Sequence, residues 1–146
     1  MKSFKEISHI ISTICSKHKA VLAAYLFGSV VKETQGKPSD IDIAVLLDDT
    51  HSQSFPILSF ISSLEKSMGC RVDVVVLNRA GEVLKYEVRR SGKPVFERSP
   101  EARKRFEIYG RKTYEDFLFY GRKTYEDFLY LHKRYVNKVL YGGTNG

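Results

Sequence analysis

Two acidic residues separated by a single position are the strongest candidates in the sequence for a functional site. Asp40 and Asp42 stand at the start of an apolar run that continues from Ile43 to Leu47. Successive side chains of a strand point to opposite faces, so these two carboxylates share a face, with Cα atoms about 6.6 Å apart. Ionised carboxylates this close repel each other and are costly in an apolar strand unless a cation neutralises them. The pattern predicts a Mg²⁺ site.

A third acid, Asp73, lies in the β-branched run from Val72 to Val76. On a neighbouring strand its carboxylate would complete a cluster able to hold two hard cations. The competing interpretation is structural, because an isolated Asp-X-Asp is usually a turn or a solvated strand edge, and an acid near the start of a strand is often only solvated. The surrounding sequence decides between the two.

Gly28 and Ser29 end the apolar run Val21–Phe27 and precede Asp40 by a spacer of ten residues. Glycine permits close approach of the backbone, while the amides of a following turn and the serine hydroxyl supply donors that suit a phosphate. A phosphate site beside a metal site fits phosphoryl or nucleotidyl transfer, which needs positioning, bridging cations and a carboxylate that accepts the proton of the attacking hydroxyl.

The elements that must position these residues alternate between helical and strand patterns. Apolar spacing predicts helices over 3–18, 55–68 and 81–90 and strands over 21–27, 41–47, 71–77 and 94–96. Gly69 ends the second of these helices. Alternation of this kind indicates an α/β layered fold.

Length and composition favour one domain that carries one catalytic site. The chain has 146 residues, of which 42% are hydrophobic and 28% charged, so it can bury a core. Its longest uninterrupted apolar run, Ala20–Phe27, is far too short for a membrane span. With no secretory signal, and with Cys15 and Cys70 far apart, we expect a cytoplasmic protein with reduced thiols. The four scattered histidines give no support to a zinc site.

The last third of the chain contains a tandem repeat. Tyr109–Leu118 recurs letter for letter as Tyr120–Leu129, with Phe119 between the copies. Eleven residues are about three helical turns, so the insertion returns later side chains to nearly their old face. The resulting aromatic stripe consists of Phe106, Phe117, Phe128 and Val139.

We interpret the aromatic stripe as a packing surface rather than a base-stacking platform, and direct nucleic-acid binding is not expected. Most of the net charge of +7 comes from this tail, because the residues after position 97 include eleven basic and six acidic ones. Basic and acidic residues recur at i, i+4 spacing, which is typical of a solvated helix face. Gly110 and Gly121 leave open whether the helix is broken.

At this point the sequence resembles a known family. The sequence is similar to the pattern of the polymerase-β-like nucleotidyltransferase superfamily. In that pattern, Gly-Ser is followed after ten residues by Asp-X-Asp, and a third Asp lies on a later strand. Two further segments, Leu77–Ala80 and Tyr86–Arg98, are similar to the minimal nucleotidyltransferases that serve as antitoxins. The similarity runs from about Val21 to Glu107.

The resemblance implies a mixed α/β (α+β) fold, with a small sheet flanked by helices and a long C-terminal helical tail. We expect a nucleotidyltransferase core over residues 1–98 and a helical extension of the same domain over 99–146. The family transfers AMP from ATP to a tyrosine of a HEPN-domain RNase toxin, with Mg²⁺, and so silences the toxin.

Carried over by position, the family roles fall on three acids and a phosphate loop. Asp40 and Asp42 would bind two Mg²⁺ ions, and Asp73 would complete the metal site and assist as a base. Gly28 and Ser29 would hold the triphosphate of ATP. The remaining candidates for nucleotide binding are Lys32 and Ser39.

The sequence departs from the family after Gly-Ser, where an arginine is often found and this chain has Val30, Val31 and Lys32. Lys32 could replace the arginine only as a point charge, without its bidentate fork, and an ordinary surface lysine is the simpler interpretation. Two other functions stay open: transfer to a small molecule such as an aminoglycoside, and a catalytically idle fold that inhibits its toxin by binding. The small size of the chain disfavours the former, and the intact acidic triad disfavours the latter.

Overall fold

The computed structural model describes residues 2–28 and 40–140, apart from the side chains of Asp40, Phe128 and Tyr135. Within these ranges, helices and strands alternate as the sequence predicts. In chain order they are α1 (Phe4–Ser16), β1 (Val21–Phe27), β2 (Asp40–Leu47), α2 (Ile57–Met68), β3 (Arg71–Val76), α3 (Glu82–Ser91), β4 (Lys93–Glu97) and α4 (Pro100–Leu140). Short 3-10 turns follow β2 and β3, over Asp49–His51 and Leu77–Arg79.

The strands form one mixed sheet in the order β3-β2-β1-β4. The central strand β1 is antiparallel to both β2 and β4, whereas β2 and β3 are parallel and are connected through α2. A parallel pair needs such a crossover, because its strands must start at the same end of the sheet. The small mixed sheet with flanking helices confirms the predicted fold class.

Local sequence signals account for the ends of the first two helices. At the start of α1, the Ser3 hydroxyl accepts a hydrogen bond from the Glu6 amide at 3.2 Å, and the Glu6 carboxylate accepts one from the Ser3 amide at 3.4 Å. This reciprocal capping box satisfies amides that have no partner inside the helix. At the end of α2, Gly69 adopts a left-handed conformation with φ +74°, which glycine adopts without steric cost.

The first face of the sheet carries the main core. Helices α1 and α2 cover it with apolar side chains that interlock with those of all four strands. Its fully buried members include Ile7, Ile11, Leu26, Ile43, Val45, Phe60 and Leu64. Burial of this apolar surface is the main source of the fold's stability.

The second face is covered more thinly, by α3 and the start of α4. Its buried residues are Tyr25, Ala44, Leu77 and Val88, with Phe27, Leu46, Val75 and Phe106 partly buried around them. Tyr25 and Phe106 pack with ring centroids 6.2 Å apart. Charged side chains border this cluster, because Arg89 lies over the ring of Phe106 and Glu107 accepts a hydrogen bond from Tyr25.

Arg98, just after β4, connects elements that are distant in sequence. Its Nε donates to the carbonyl of Val21 at 3.0 Å, and its Nη2 donates to the carbonyls of Cys15, Ser16 and His18 at 3.0 to 3.3 Å. The last carbonyls of a helix have no partner within it. One guanidinium therefore closes the C-terminal end of α1 against the start of β1.

Helix α4 continues through both copies of the repeat, so neither Gly110 nor Gly121 interrupts it. The chain divides into two compact units, Met1–Arg111 and Lys112–Gly146. In the second unit, Phe117 and Val139 of the aromatic stripe are 43% and 59% exposed. None of the helices in the described ranges is long and apolar enough to cross a bilayer.

Candidate active site

The parallel pairing of β2 with β3 brings two of the predicted acids together. Asp42 and Asp73 occupy directly paired positions in this register, and paired residues of adjacent strands point to the same side of the sheet. Asp42 is half-buried and Asp73 is exposed. Both share the second face with Ala44 and Val75, so the two carboxylates lie at one end of that face.

Gly28 lies against the first of these carboxylates. It directly follows β1, whose last residue, Phe27, is paired with Asp42. Its φ of +82° is one that L side chains rarely adopt, and a Cβ at this position would overlap the carboxylate of Asp42. Both the backbone conformation and the available space therefore require glycine here, beside the predicted metal ligand.

The other predicted site residues are described in part or not at all. Asp40 is the first residue of β2, two positions before Asp42, and its register partner is Arg71. Ser29, Lys32 and Ser39 lie outside the described residues. Among the side chains that the structure does describe, no three His, Cys, Asp or Glu residues form a group able to hold a metal ion. The described acids thus contribute a pair, Asp42 and Asp73.

A polar network on the second face was not predicted from the sequence. The hydroxyl of Tyr25 donates to the carboxylate of Glu107 at 3.0 Å, and Arg103 binds the same carboxylate at 2.8 Å. Arg103 also forms an ion pair with Glu97 at 3.3 Å. Burial and the neighbouring negative charge of Glu107 raise the pKa of Tyr25, so its hydroxyl stays protonated as a donor.

Arg89 is a second residue that sequence reasoning missed. Its guanidinium lies over the ring of Phe106, 5.6 Å from the centroid, and its two terminal nitrogens are buried without a hydrogen-bond partner. A Cβ at position 110 would overlap this guanidinium. Because Gly110 has no side chain, α4 leaves space for the guanidinium of Arg89 at this position. No local sequence signal predicts this role of Gly110.

Two cavities lie away from the acids. One of about 480 Å³ is lined by Leu46, Asp49, Asn78, Lys85, Arg105 and Tyr109 among others. The other, of about 430 Å³, lies beside Lys17, His18 and His51. Both are next to the 3-10 turn that follows β2, whereas Asp42 lies near the opposite end of that strand. Neither cavity includes the paired acids.

Comparison with known proteins confirms the fold. Residues 9–101 match the profile of the family described as polymerase beta, nucleotidyltransferase. A putative protein adenylyltransferase of Methanocaldococcus jannaschii is 37% identical over 83 residues, a match that covers 51% of this chain and 79% of that protein.

Solved structures show the same fold. A chain from a toxin-antitoxin crystal structure with AMP-PNP superposes with a TM-score of 0.67 at 24% identity, covering 84% of this chain and 98% of that one. An MNT antitoxin complex with a tri-AMPylated Shewanella oneidensis HEPN toxin gives a TM-score of 0.62 at 22% identity, covering 86% and 97%. A mutant MntA-HpeT toxin-antitoxin structure gives 0.63 at 26% identity, covering 83% and 95%.

Proposed function

The chain belongs to the polymerase beta nucleotidyltransferase family, and we propose that it is an antitoxin that transfers AMP from ATP to a tyrosine of a HEPN-type RNase toxin. Family membership makes it a nucleotidyltransferase. The proposal adds ATP as the donor, Mg²⁺ as the metal and a toxin tyrosine as the acceptor.

The observation that carries the proposal is the contact between the end of β1 and the paired acids. The backbone of Gly28 lies directly against the carboxylate of Asp42 on the β1 side, and Asp73 is the register partner of Asp42 on the β3 side. A nucleotide phosphate that follows the backbone at Gly28 would therefore arrive next to two carboxylates. This is the juxtaposition that the Gly-Ser and Asp-X-Asp spacing predicts.

The donor set fits Mg²⁺, because paired carboxylates on one face supply the hard oxygen ligands that this ion prefers. Asp42 and Asp73, together with Asp40, would hold it, with two ions expected. When bound, Mg²⁺ supplies positive charge against the phosphate oxygens and the leaving pyrophosphate.

The chain's own groups orient the nucleotide and receive a proton. We assign Gly28, Ser29, Lys32 and Ser39 to the triphosphate of ATP. The exposed carboxylate of Asp73 would take the proton of the attacking tyrosine hydroxyl. The tyrosine oxygen then bonds to the α-phosphorus, the bond from that phosphorus to the bridging oxygen of the β-phosphate breaks, and pyrophosphate leaves.

The choice of a protein acceptor is supported by what the relatives are named for. The Methanocaldococcus jannaschii relative is named a putative protein adenylyltransferase, and one structural relative is an MNT antitoxin in complex with an AMPylated HEPN toxin. The proposal includes a cytoplasmic location, since Cys15 and Cys70 form no disulfide, and a reducing compartment keeps thiols reduced.

Mass spectrometry of the partner tests the proposal directly. The chain is incubated with ATP, Mg²⁺ and a candidate HEPN protein, such as one encoded in an adjacent reading frame if there is one, and this partner should gain about 329 Da for each AMP unit, on a tyrosine. Asp42→Ala should leave the partner unmodified. The matched control, Asp116→Ala, removes an exposed carboxylate from the tail and should transfer normally.

Two results would replace the proposal with its alternatives. An unmodified partner that Asp42→Ala still inhibits would indicate an antitoxin that acts by binding alone. AMP transfer to an aminoglycoside, with none to the partner, would indicate a small-molecule enzyme.

A further inference from the structure

The second unit carries an apolar edge that the transferase reaction does not use. Leu118, Tyr125, Leu129 and Val136 follow one another at intervals of seven, four and seven residues, so at 3.6 residues per turn they share one side of α4. Leu118, Tyr125 and Leu129 are 46%, 62% and 45% exposed. An exposed row of large apolar side chains marks an interaction surface.

Charged residues border the apolar edge along one flank. Glu115, Arg122, Glu126 and Lys133 lie on that side of the helix, and all four are exposed. Arg122 precedes Glu126 by four residues, which is the less favourable order for an ion pair within a helix. In the described structure neither side chain forms an ion pair, so both charges are available to another molecule.

From this pattern we infer that the apolar edge binds a second copy of the chain, with the two α4 helices antiparallel and crossing near Thr124. In that register Leu118 of one copy lies opposite Leu129 of the other. On the charged flank, Arg122 meets Glu126 of the second copy, and Glu115 meets Lys133 of the second copy. Two-fold symmetry makes each contact twice.

The charge pattern selects the second copy as occupant. Along the chain, the charges of this flank alternate as acid, base, acid, base. When a second copy runs in the opposite direction, every acid of one flank therefore lies opposite a base of the other. Gly121 lies on the neighbouring side of the helix, and apart from its own stretch of helix no described residue lies within 4 Å of where its Cβ would be, so a second helix can approach closely. The proposal is independent of the transferase activity.

Sedimentation equilibrium of the full chain tests the association. At tens of micromolar protein, the wild-type chain should show twice its mass of 16.8 kDa. Arg122→Glu and Glu126→Arg should each weaken the dimer at least about tenfold, because each places like charges together twice. Mixing the two variants should restore a dimer of one copy of each, because every pair is then of opposite charge.

The repeat supplies the matched control. Arg111→Glu makes the same substitution in the same local sequence, but position 111 would lie opposite Asn137 of the second copy, which has no charge. This variant should dimerise like the wild type. Circular dichroism should show equal helix content in all variants.

Three results would overturn the inference. A wild-type chain that stays monomeric leaves the apolar edge to a partner of another kind, such as the toxin. Equal weakening by Arg111→Glu and Arg122→Glu would mean that net charge, and not this register, controls association. A mixture that stays monomeric would exclude the proposed pairing of position 122 with position 126.

Discussion

The two faces of the sheet are built from the same strands but are covered differently. On the first face, α1 and α2 bury a continuous apolar layer. On the second, a small apolar cluster is bordered by ionic groups, among them the Tyr25 network and the acid pair. Asp42 and Ile43 are neighbours in sequence, yet one lies at the candidate site and the other is fully buried in the core.

This difference shows that the residues that stabilise a small domain and the residues of its candidate site can lie on opposite faces of one sheet. A core side chain is held by close packing and contributes through buried area. Paired carboxylates contribute little of that kind, because like charges repel each other, and what they offer instead is a set of oxygen ligands for a cation. The alternation of a strand places the two roles on consecutive residues, so substitutions at adjacent positions should have opposite consequences.

The largest effect is expected for Asp42→Asn on the second face. Loss of this charge removes a ligand of the proposed Mg²⁺ site, so the proposed AMP transfer should fall at least about a hundredfold. The melting temperature without Mg²⁺ should stay the same or rise slightly, because repulsion between Asp42 and Asp73 is relieved. Transfer assays and thermal unfolding of the same preparations check both parts. Near-native transfer by this variant would remove Asp42 from the site.

Ile43→Ala, one residue further along β2, should give the opposite result. The cavity left in the core should lower the free energy of unfolding by about 3 kcal/mol. Transfer per folded molecule should be unchanged at a temperature where the variant is folded. Urea unfolding gives the first quantity and active-site-normalised rates the second. If activity fell as far as for Asp42→Asn, the two faces would not be separable.

A pair of deletions tests how the second face is covered. Deleting residues 110–120 joins Tyr109 to Gly121, which then takes the place of Gly110 beneath Arg89. Stability of the first unit and nucleotide binding should be unchanged. Deleting 110–119 instead puts Tyr120 in that place, and overpacking against the guanidinium should cost about 2 kcal/mol. Urea unfolding followed by nucleotide titration distinguishes them. Equal stabilities would mean that Arg89 moves aside freely.

The smallest effect concerns alkaline stability. Burial raises the pKa of Tyr25, so above pH of about 10 the unfolded chain loses this proton while the folded chain retains it. The unfolded state then binds fewer protons, and stability falls as the pH rises. Tyr25→Phe should have a shallower fall in urea midpoint between pH 9 and 11. Burial also raises the pKa of the Cys15 thiol to about 12, but this contribution is common to both proteins. Parallel curves would contradict the prediction.

Much of the fold follows from the sequence, because apolar periodicity and glycine stops are local signals. The strands and helices form where the patterns predict them, and α2 ends at Gly69. The family pattern identifies the acids, and the parallel register then pairs Asp42 with Asp73. That register depends on how α2 returns the chain to the sheet, which no single residue encodes.

Polar contacts between residues far apart in the chain could not be predicted from the sequence. Tyr25 and Glu107 are 82 positions apart, and neither lies in a pattern that selects the other. The repeat makes the same point, since Gly110 and Gly121 occupy identical local sequences while only Gly110 admits a side chain from elsewhere in the fold. Tertiary environment, not local preference, decides which glycine is needed.

The hydrogen bonds of Arg98 also bear on how the chain folds as it is made. The carbonyls of Cys15, Ser16 and His18 acquire this donor only through a residue about 80 positions later. During synthesis, these carbonyls lack the guanidinium donor until Arg98 has been made, although those of Cys15 and His18 can already accept the backbone amides of His18 and Val21. Contacts of such high sequence separation form late, because the intervening loop must first be closed. The full set of hydrogen bonds at the end of α1 is therefore completed only after the chain has been made through Arg98.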